Sequence, residues 1–475
     1  MSATTSTEPT TVFPAGDQAA LRLARLVLGD VFASSLAAME RAQWSSEPGQ
    51  LESRCARLAR LLEHASRNVP FYRSRVVLAS PPATETAAVA LGAFPITTKR
   101  DLLEAARQAV LAEGLPPDRC LPRSTSGSTG EPFEFCLDRQ ALPVIFASHV
   151  FYDRSCGLEL GDKRINVVAP IAGRSDPPRG APASLRIRNA VVQRLRDAYE
   201  ARTHRQLGVD DVTFAAALRF WHEVEVFRPT FVVGYSSALA ALSAELLQAD
   251  LPMKRHLRRL ICIAEPLTPQ RRELIERYFD SPITVRYGLR ELGGWTGQSC
   301  SSSPECVHVN PELVVWEIVA SDGSPSVPGA IGRLVLTDLH NLVMPFIRYD
   351  TGDLAADVGE SCPCGRTWPL IRIEGRAHDC LWTRSGRVIT PRRLGLALSE
   401  SVDEASQYQI LQDREDQLSV LVVPTGGFDE PMRARIRSGL EKLVGREFTV
   451  RVEAVERIAA DPSGKRPLIK TLKRA

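Results

Sequence analysis

Neither sign of charge is in surplus in this chain: 59 Lys and Arg stand against 56 Asp and Glu, a net of +3 over 475 residues. With no long basic run and no aromatics interleaved among bases, a nucleic-acid groove or an anionic membrane patch has no support. Also missing is an uncharged stretch long enough to cross a bilayer. The start, MSATTSTEPTTVFPAGD, lacks the basic-then-apolar layout of a secretory signal, so a cytoplasmic protein is expected. Internal repeats and extended low-complexity tracts are absent. The apolar share of 44% and the charged share of 24% are those of an ordinary globular protein, and the length implies roughly three domains or subdomains. Most of the ten cysteines lie in apolar runs, where reduced Cys acts as a small hydrophobe. Only Cys300, Cys306, Cys362 and Cys364 have polar, turn-rich surroundings.

The texture changes along the chain. After a start expected to be disordered, residues 1–16, LRLARLVLGDVFASSLAAM and LESRCARLARLLEHASR carry apolar residues at three- and four-residue steps, which predicts two amphipathic helices. From about residue 160, β-rich runs (INVVAP, TFVVGY, RLICIA, ITVRYG) alternate with helix-length segments, the pattern of α/β layers. Residues 313–374 read as a twisted β unit. From about residue 378 a compact α+β module follows. The expected class is α/β: a large N-terminal domain of several subdomains, 17–376, and a small mobile α+β domain, 377–475.

Chemistry concentrates first in STSGSTGEP, Ser124 to Pro132. Gly127 and Gly130 let the backbone turn its amides inward, and Ser124, Thr125, Ser126, Ser128 and Thr129 add hydroxyls, so the loop suits a phosphate. A solvated linker has the same composition. It lacks the GK[ST] ending of a P-loop phosphotransferase. Further on, IRYDTGDL puts Asp353 on a turn where it can accept from a ribose diol, although TGD also occurs in plain turns.

Between and beyond these lie AEPL (264–267), YGLREL (287–292), EGRAHD (374–379) and DPSGKRP (461–467). This ordered set resembles the adenylate-forming superfamily. LEHASRNVPFYR, FPITTKRDL, VVGYSSAL, CPCGR and QYQILQ resemble its phenylacetate-CoA ligase branch, so the likeness covers nearly the whole chain. The resemblance implies a large adenylation domain, 17–376, and a C-terminal lid domain, 377–475, that uses ATP and Mg²⁺ to join a small carboxylic acid to AMP. The loop Ser124–Gly130 would hold the β and γ phosphates. Ala264, Glu265 and Pro266 would lie along the adenine, and Tyr287 would stack on it beside Gly288. Asp353 would take the ribose hydroxyls, Glu291 would hold Mg²⁺, and Arg376 would reach the ribose or α-phosphate. Lys465 would stabilise the developing charge, with Lys470 and Lys473 as competitors.

Gly234, Tyr235, Gly293 and Trp295 are candidates for a flat slot holding an aryl or cyclic acid, with Tyr235 and Trp295 equally readable as core or lid packing residues. Cys300, His308, Cys362 and Cys364 could supply a four-ligand structural Zn²⁺ site from two loops, with Cys306 as the rival of Cys300; unligated loop cysteines are the plainer alternative. The implied acceptor is coenzyme A, giving a thioester; an amine acceptor, giving an amide in a natural-product pathway, is the alternative. No nucleic-acid or membrane partner is expected, and the chain would be a monomer or homodimer.

Three departures from the family pattern motivate a further reading, a degenerate nucleotide-binding homologue. Glu131 stands where a Lys is usual, Arg290 precedes Glu291 in place of Ser or Thr, and His378 occupies the usual place of the hinge Asp. If the loop binds triphosphate without that lysine, Glu131→Lys tightens ATP binding by roughly fivefold, the worth of about 1 kcal/mol, in a nucleotide titration. An unchanged or weaker affinity counts against it.

Overall fold

The computed structural model describes residues 15–475 apart from 46–47, 79, 126–132, 170–193, 195–196, 209–211, 360, 384–386, 400, 403–406, 415, 425, 462–463 and 472–475. Three helices open it where two were expected: Ala15–Leu28, Asp30–Ala42 and Pro48–Asn68. The break falls at Gly29, whose φ of 78° leaves the right-handed helical region. The expected disordered start, 1–16, falls outside the described residues except for Ala15 and Gly16, which are helical.

A hairpin of β1 (Cys120–Thr125) and β2 (Phe133–Asp138) carries the Ser124 loop at its tip. Cys120 and Cys136 form a disulfide across it, which corrects their reading as reduced hydrophobes. Antiparallel pairing is the reason: it sets Pro122 opposite Cys136 and brings two thiols sixteen positions apart in sequence side by side.

The main sheet has eleven strands: β3 (Arg164–Val167), β4 (His204–Leu207), β5 (Phe231–Tyr235), β6 (Arg259–Ile263), β7 (Ile283–Leu289), β8 (Gly294–Cys300), β9 (Ser303–Val309), β10 (Val314–Val319), β11 (Ile331–Asp338), β12 (Tyr349–Asp357) and β13 (Leu370–Arg376). Their spatial order is β10-β11-β12-β13-β9-β8-β7-β6-β5-β3-β4. From β4 to β7 every pairing is parallel. The helices Ser236–Gln248 and Pro269–Phe279 make the crossovers that parallel strands require. The central pair, β5 and β6, are near-continuous apolar runs covered by helices; Val232, Leu260 and Ile261 are fully buried. From β7 to β10 the pairings are antiparallel. The segment 313–374, expected as a unit of its own, therefore continues the same sheet: β13 pairs with β9, Leu370 opposite His308 and Ile371 opposite Val307.

Beyond residue 380 lie a two-stranded ribbon, β14 (Leu381–Trp382) with β15 (Val388–Ile389), and a four-stranded sheet. The latter comprises β16 (Gln407–Arg414), β17 (Gln417–Val423), β18 (Thr449–Ala454) and β19 (Ile469–Thr471), ordered β18-β17-β16-β19. Its helix, Glu430–Val444, starts at Asp429, whose carboxylate accepts from the Met432 amide at 2.9 Å. Met432, Ile436, Leu440 and Val444, four residues apart, bury one stripe against this sheet. Each such side chain contributes on the order of 2 kcal/mol. Among the described residues no helix is long and apolar enough to cross a membrane.

One buried carboxylate sets a pH dependence. Burial pushes Asp338, at the end of β11, up to about 7, although the His340 amide donates to it at 2.9 Å. The unfolded chain gives up this proton near 3.8, so the native state loses stability increasingly as pH climbs from there to about 7. Asp338→Asn keeps the acceptor and removes the charge. Its melting temperature should exceed that of the wild type by a margin that widens between pH 5 and pH 8; a constant margin would refute this account.

Candidate active site

The parallel pairing of three strands ends at one level, with Tyr235 of β5 opposite Ile263 of β6 and Ile263 opposite Arg286 of β7. In open α/β sheets the edge beyond the carboxyl ends of the strands is where ligands sit. Here that edge carries Tyr235, Ala264 to Pro266, and Tyr287 to Glu291, so three of the motifs arrive together. Asp353 of β12 and Arg376 at the end of β13 face one another across their strands and complete the group.

The polar core of the cleft is a chain of contacts. The Tyr287 hydroxyl donates to Asp353 Oδ2 at 2.7 Å, and Arg376 Nε lies 3.1 Å from Asp353 Oδ1. Burial raises the pKa of Tyr287, and the Asp353 charge adds to the effect, so the phenol stays a donor. Tyr349 Oη donates to Glu291 Oε1 at 3.4 Å; burial raises the Glu291 carboxyl, an environment that a bound divalent cation would offset. Lys465 reaches this edge from the C-terminal module, its Nζ 5.6 Å from the centroid of the Tyr235 ring. Its loop is closed by Asp461, which accepts from the Lys465 amide at 3.0 Å. Burial, then the nearby Arg376 charge, lowers the pKa of Lys465. Lys470, its competitor, lies exposed within β19, and Lys473 lies outside the described residues.

Of the segment expected to hold phosphate, Ser124 and Thr125 end β1, while Ser126, Gly127, Ser128, Thr129, Gly130 and Glu131 lie outside the described residues. Arg290 donates from Nη1 to the Ser124 carbonyl at 3.4 Å, so the unexpected arginine stands at the mouth of that loop. Gly288 is required by a close backbone approach, since a Cβ there would meet the Gly294 carbonyl at 2.1 Å. Glu265 turns its side chain toward the C-terminal module, where its carboxylate accepts from the amides of Ser237 (2.9 Å) and Arg466 (3.1 Å). The surroundings of His378 are simpler: its ring is half exposed beside Asp379, and its carbonyl accepts from Thr471.

The acyl-slot candidates divide. A Cβ on Gly234 would meet Leu239 at 2.9 Å, and one on Gly293 would meet Ile145 at 2.5 Å, so both are packing glycines. Trp295 lines a small cavity with Ile145, Ser148 and Leu292. Sequence reasoning missed His149, in the helix Leu142–Ser155 that also carries Ile145 and Ser148; its Nε2 occupies the place a Gly294 Cβ would take, and burial lowers its pKa to about 4. It also gave no role to Tyr349, although IRYDTGDL contains it, nor to Arg271, for which no local signal exists.

Cys300, His308, Cys362 and Cys364 come together, with their donor atoms within 4.8 Å of one another. Cys306 is not in this group. Cys300 and Cys362 sulfurs lie 3.4 Å apart, and Cys364 Sγ is 3.4 Å from His308 Nε2. His308 Nδ1 is 3.2 Å from the Trp368 carbonyl; donating there leaves Nε2 facing the sulfurs as a ligand atom.

The sequence has relatives over most of its length. It is 27% identical over 377 residues, 76% of this chain and 78% of the relative, to a phenylacetate-coenzyme A ligase of Thermus thermophilus. It is 20% identical to protein CapK of Staphylococcus aureus, covering 86% of each. Residues 381–471 match the CapK C-terminal domain family. The fold matches 2-hydroxyisobutyryl-CoA ligase in its postadenylation state with a TM-score of 0.70 at 19% identity, covering 91% of each chain. Against the thioesterification state of the same enzyme the score is 0.57, so the C-terminal module here stands nearer the first arrangement. By fold the chain is similar to adenylate-forming CoA ligases, and by sequence it is similar to phenylacetate-coenzyme A ligases.

Proposed function

We propose that this protein is an ATP-dependent carboxylic acid ligase that forms an acyl-adenylate and passes the acyl group to coenzyme A. The observation that carries the reading is the meeting of Tyr287, Glu291, Asp353, Arg376 and Lys465 at one strand edge from separate segments of the chain. In the first step a carboxylate oxygen attacks the α-phosphorus of ATP, the bond to the β-phosphate breaks, and pyrophosphate leaves. The reactants are anions, so the protein's work is to position them and to offset charge. Asp353 exchanges its bond from Tyr287 for the ribose hydroxyls, and Tyr287 then offers its ring to the adenine. Arg376 and Lys465 offset charge at the α-phosphate. Arg290 and the Ser124 loop face the departing pyrophosphate. Glu291 would hold Mg²⁺, which would supply charge neutralisation at the phosphates. In the second step the CoA sulfur attacks the acyl carbon and AMP leaves, after residues 377–475 turn about a joint near Arg376–His378 to vacate the site. Among acids, an aryl or cyclic one suits the Trp295 side of the cleft.

The Cys300, His308, Cys362 and Cys364 group is proposed to hold a structural zinc, supported by its thiolate and imidazole donor set and by the His308 bond to Trp368. That ion would pin the turn after β8 to the loop before β13.

Acid-dependent exchange of labelled pyrophosphate into ATP, run across aromatic, alicyclic and fatty acids, tests the first step. Lys465→Ala should lower it by about 100-fold or more. Absence of exchange with every acid would leave a nucleotide-binding homologue as the better description, and product analysis separates thioester from amide. For the zinc, elemental analysis should find one ion per chain, lost in Cys364→Ser together with thermal stability; a metal-free native protein of equal stability would remove it.

A further inference from the structure

Beyond the groups that face the nucleotide, the peptide after Lys465 is held at both ends by the large domain. The Arg466 amide donates to Glu265 Oε1 at 3.1 Å, and the Arg466 carbonyl accepts from Arg271 Nη2 at 2.9 Å. Glu265 is itself fixed: Oε2 accepts from the Ser237 amide at 2.9 Å, and Arg271 Nη1 lies 3.8 Å away. Arg271 Nη1 also donates to Ser236 Oγ at 3.2 Å. The Glu265 side chain is 5% exposed and that of Arg271 14%, so these bonds are made away from water, where a charge-assisted hydrogen bond is strong.

The backbone at Glu265 is bent to make this possible. Ala264 has a φ of 64°, in a region that non-glycine residues rarely enter, and the Glu265 amide closes a three-residue turn onto the Ile263 carbonyl at 2.9 Å. That turn swings Glu265 from the end of β6 onto the start of the helix Ser236–Gln248. Strain of this kind persists only where surrounding contacts hold it. The partners here are backbone atoms of the C-terminal module and of that helix.

We infer that Glu265 and Arg271 form a latch that reads the Arg466 peptide and so selects the domain arrangement in which Lys465 faces the nucleotide. Both are positioning residues, since they act through Lys465. The latch reads an amide and a carbonyl, and the side chain at 466 serves a separate purpose, because Arg466 Nε donates to the Ile458 carbonyl and braces the loop from within its own module. When the C-terminal module leaves, both bonds to the Arg466 peptide must break, while the Glu265 contacts with Ser237 and Arg271 can persist. The latch therefore favours the arrangement for adenylation and has no counterpart to lose in the arrangement for acyl transfer.

This inference rests on the two-step reading above, and its test separates the two. Arg271→Met should lower pyrophosphate exchange by about tenfold or more, the worth of one charge-assisted hydrogen bond. Thioester formation from a synthetic acyl-adenylate of the best acid should stay within about twofold of wild type, a span of about 0.4 kcal/mol. Arg271→Lys, which keeps one donor for the Arg466 carbonyl, should recover part of the exchange. Glu265→Gln, which cannot accept from both amides, should lose exchange as Arg271→Met does. Equal loss in both half-reactions, or no loss in either, overturns the latch. Fluorescence transfer between labels on the two domains, with ATP and Mg²⁺ present, gives a readout free of turnover: Arg271→Met should shift the population to larger separation, and an unchanged distribution also overturns it. A wild type without exchange that still shows this shift would retain the latch and discard the proposed reaction.

Discussion

The chemistry of this protein depends on the parallel register of β5, β6 and β7, whose pairing ends at one level. Backbone hydrogen bonds hold that level, and the helices packed on the strands keep water from competing for them. Each strand then releases its chain into the same edge: Tyr235, Ala264 with Glu265, and Tyr287 with the residues up to Glu291. At β7 the sheet turns antiparallel, which lets the distant strands β12 and β13 return Asp353 and Arg376 to that edge from a different part of the sequence. Neither half of the sheet would make the cleft alone.

Electrostatics explains why the residues come from so many segments. For the proposed reaction a triphosphate and a carboxylate must be held together, and a single cationic run would hold both in any orientation. The cleft instead places isolated cations around its rim: Arg290 at the mouth of the Ser124 loop, Arg376 against Asp353, and Lys465 beside Tyr235. Burial lowers the pKa of Lys465 and raises those of Glu291 and Tyr287, so each group is least at ease in its charged form until an opposite charge arrives. The Tyr287 to Asp353 bond follows the same logic, because a partner already in place spares Asp353 an unpaired buried oxygen.

The cysteines divide by the reach of the contacts that define them. The polar setting of Cys300, Cys362, Cys364 and His308 marks them in the sequence, and they do converge, since β8 and the loop before β13 flank the β9 strand that carries His308. Choosing Cys300 over Cys306 needs the strand register, which puts Cys300 opposite Ser303 at the turn and leaves Cys306 outside the cluster. The Cys120 to Cys136 bond has no such marker, because nothing in either residue's local sequence points to the other and only the hairpin pairing makes them neighbours. Gly234 and Gly293 were ambiguous for a similar reason: a glycine records that something lies close, and Leu239 and Ile145 are identified only by packing.

By itself the sequence determined what is local or ordered along the chain. The β-rich runs that became β5, β6 and β7, and the order of the Ser124 loop, AEPL, YGLRE, TGD and SGK, are properties of neighbouring residues and their succession. Tertiary structure alone decided what depends on bringing remote segments together. It joined the 313–374 strands to the parallel half of the sheet. It turned Glu265 from the nucleotide side to the Arg466 peptide, and it recruited Arg271 and Tyr349, which no motif singles out. Local pattern is set by the period of a helix or strand, whereas a hydrogen bond between residues about two hundred positions apart is set by where the whole chain closes on itself.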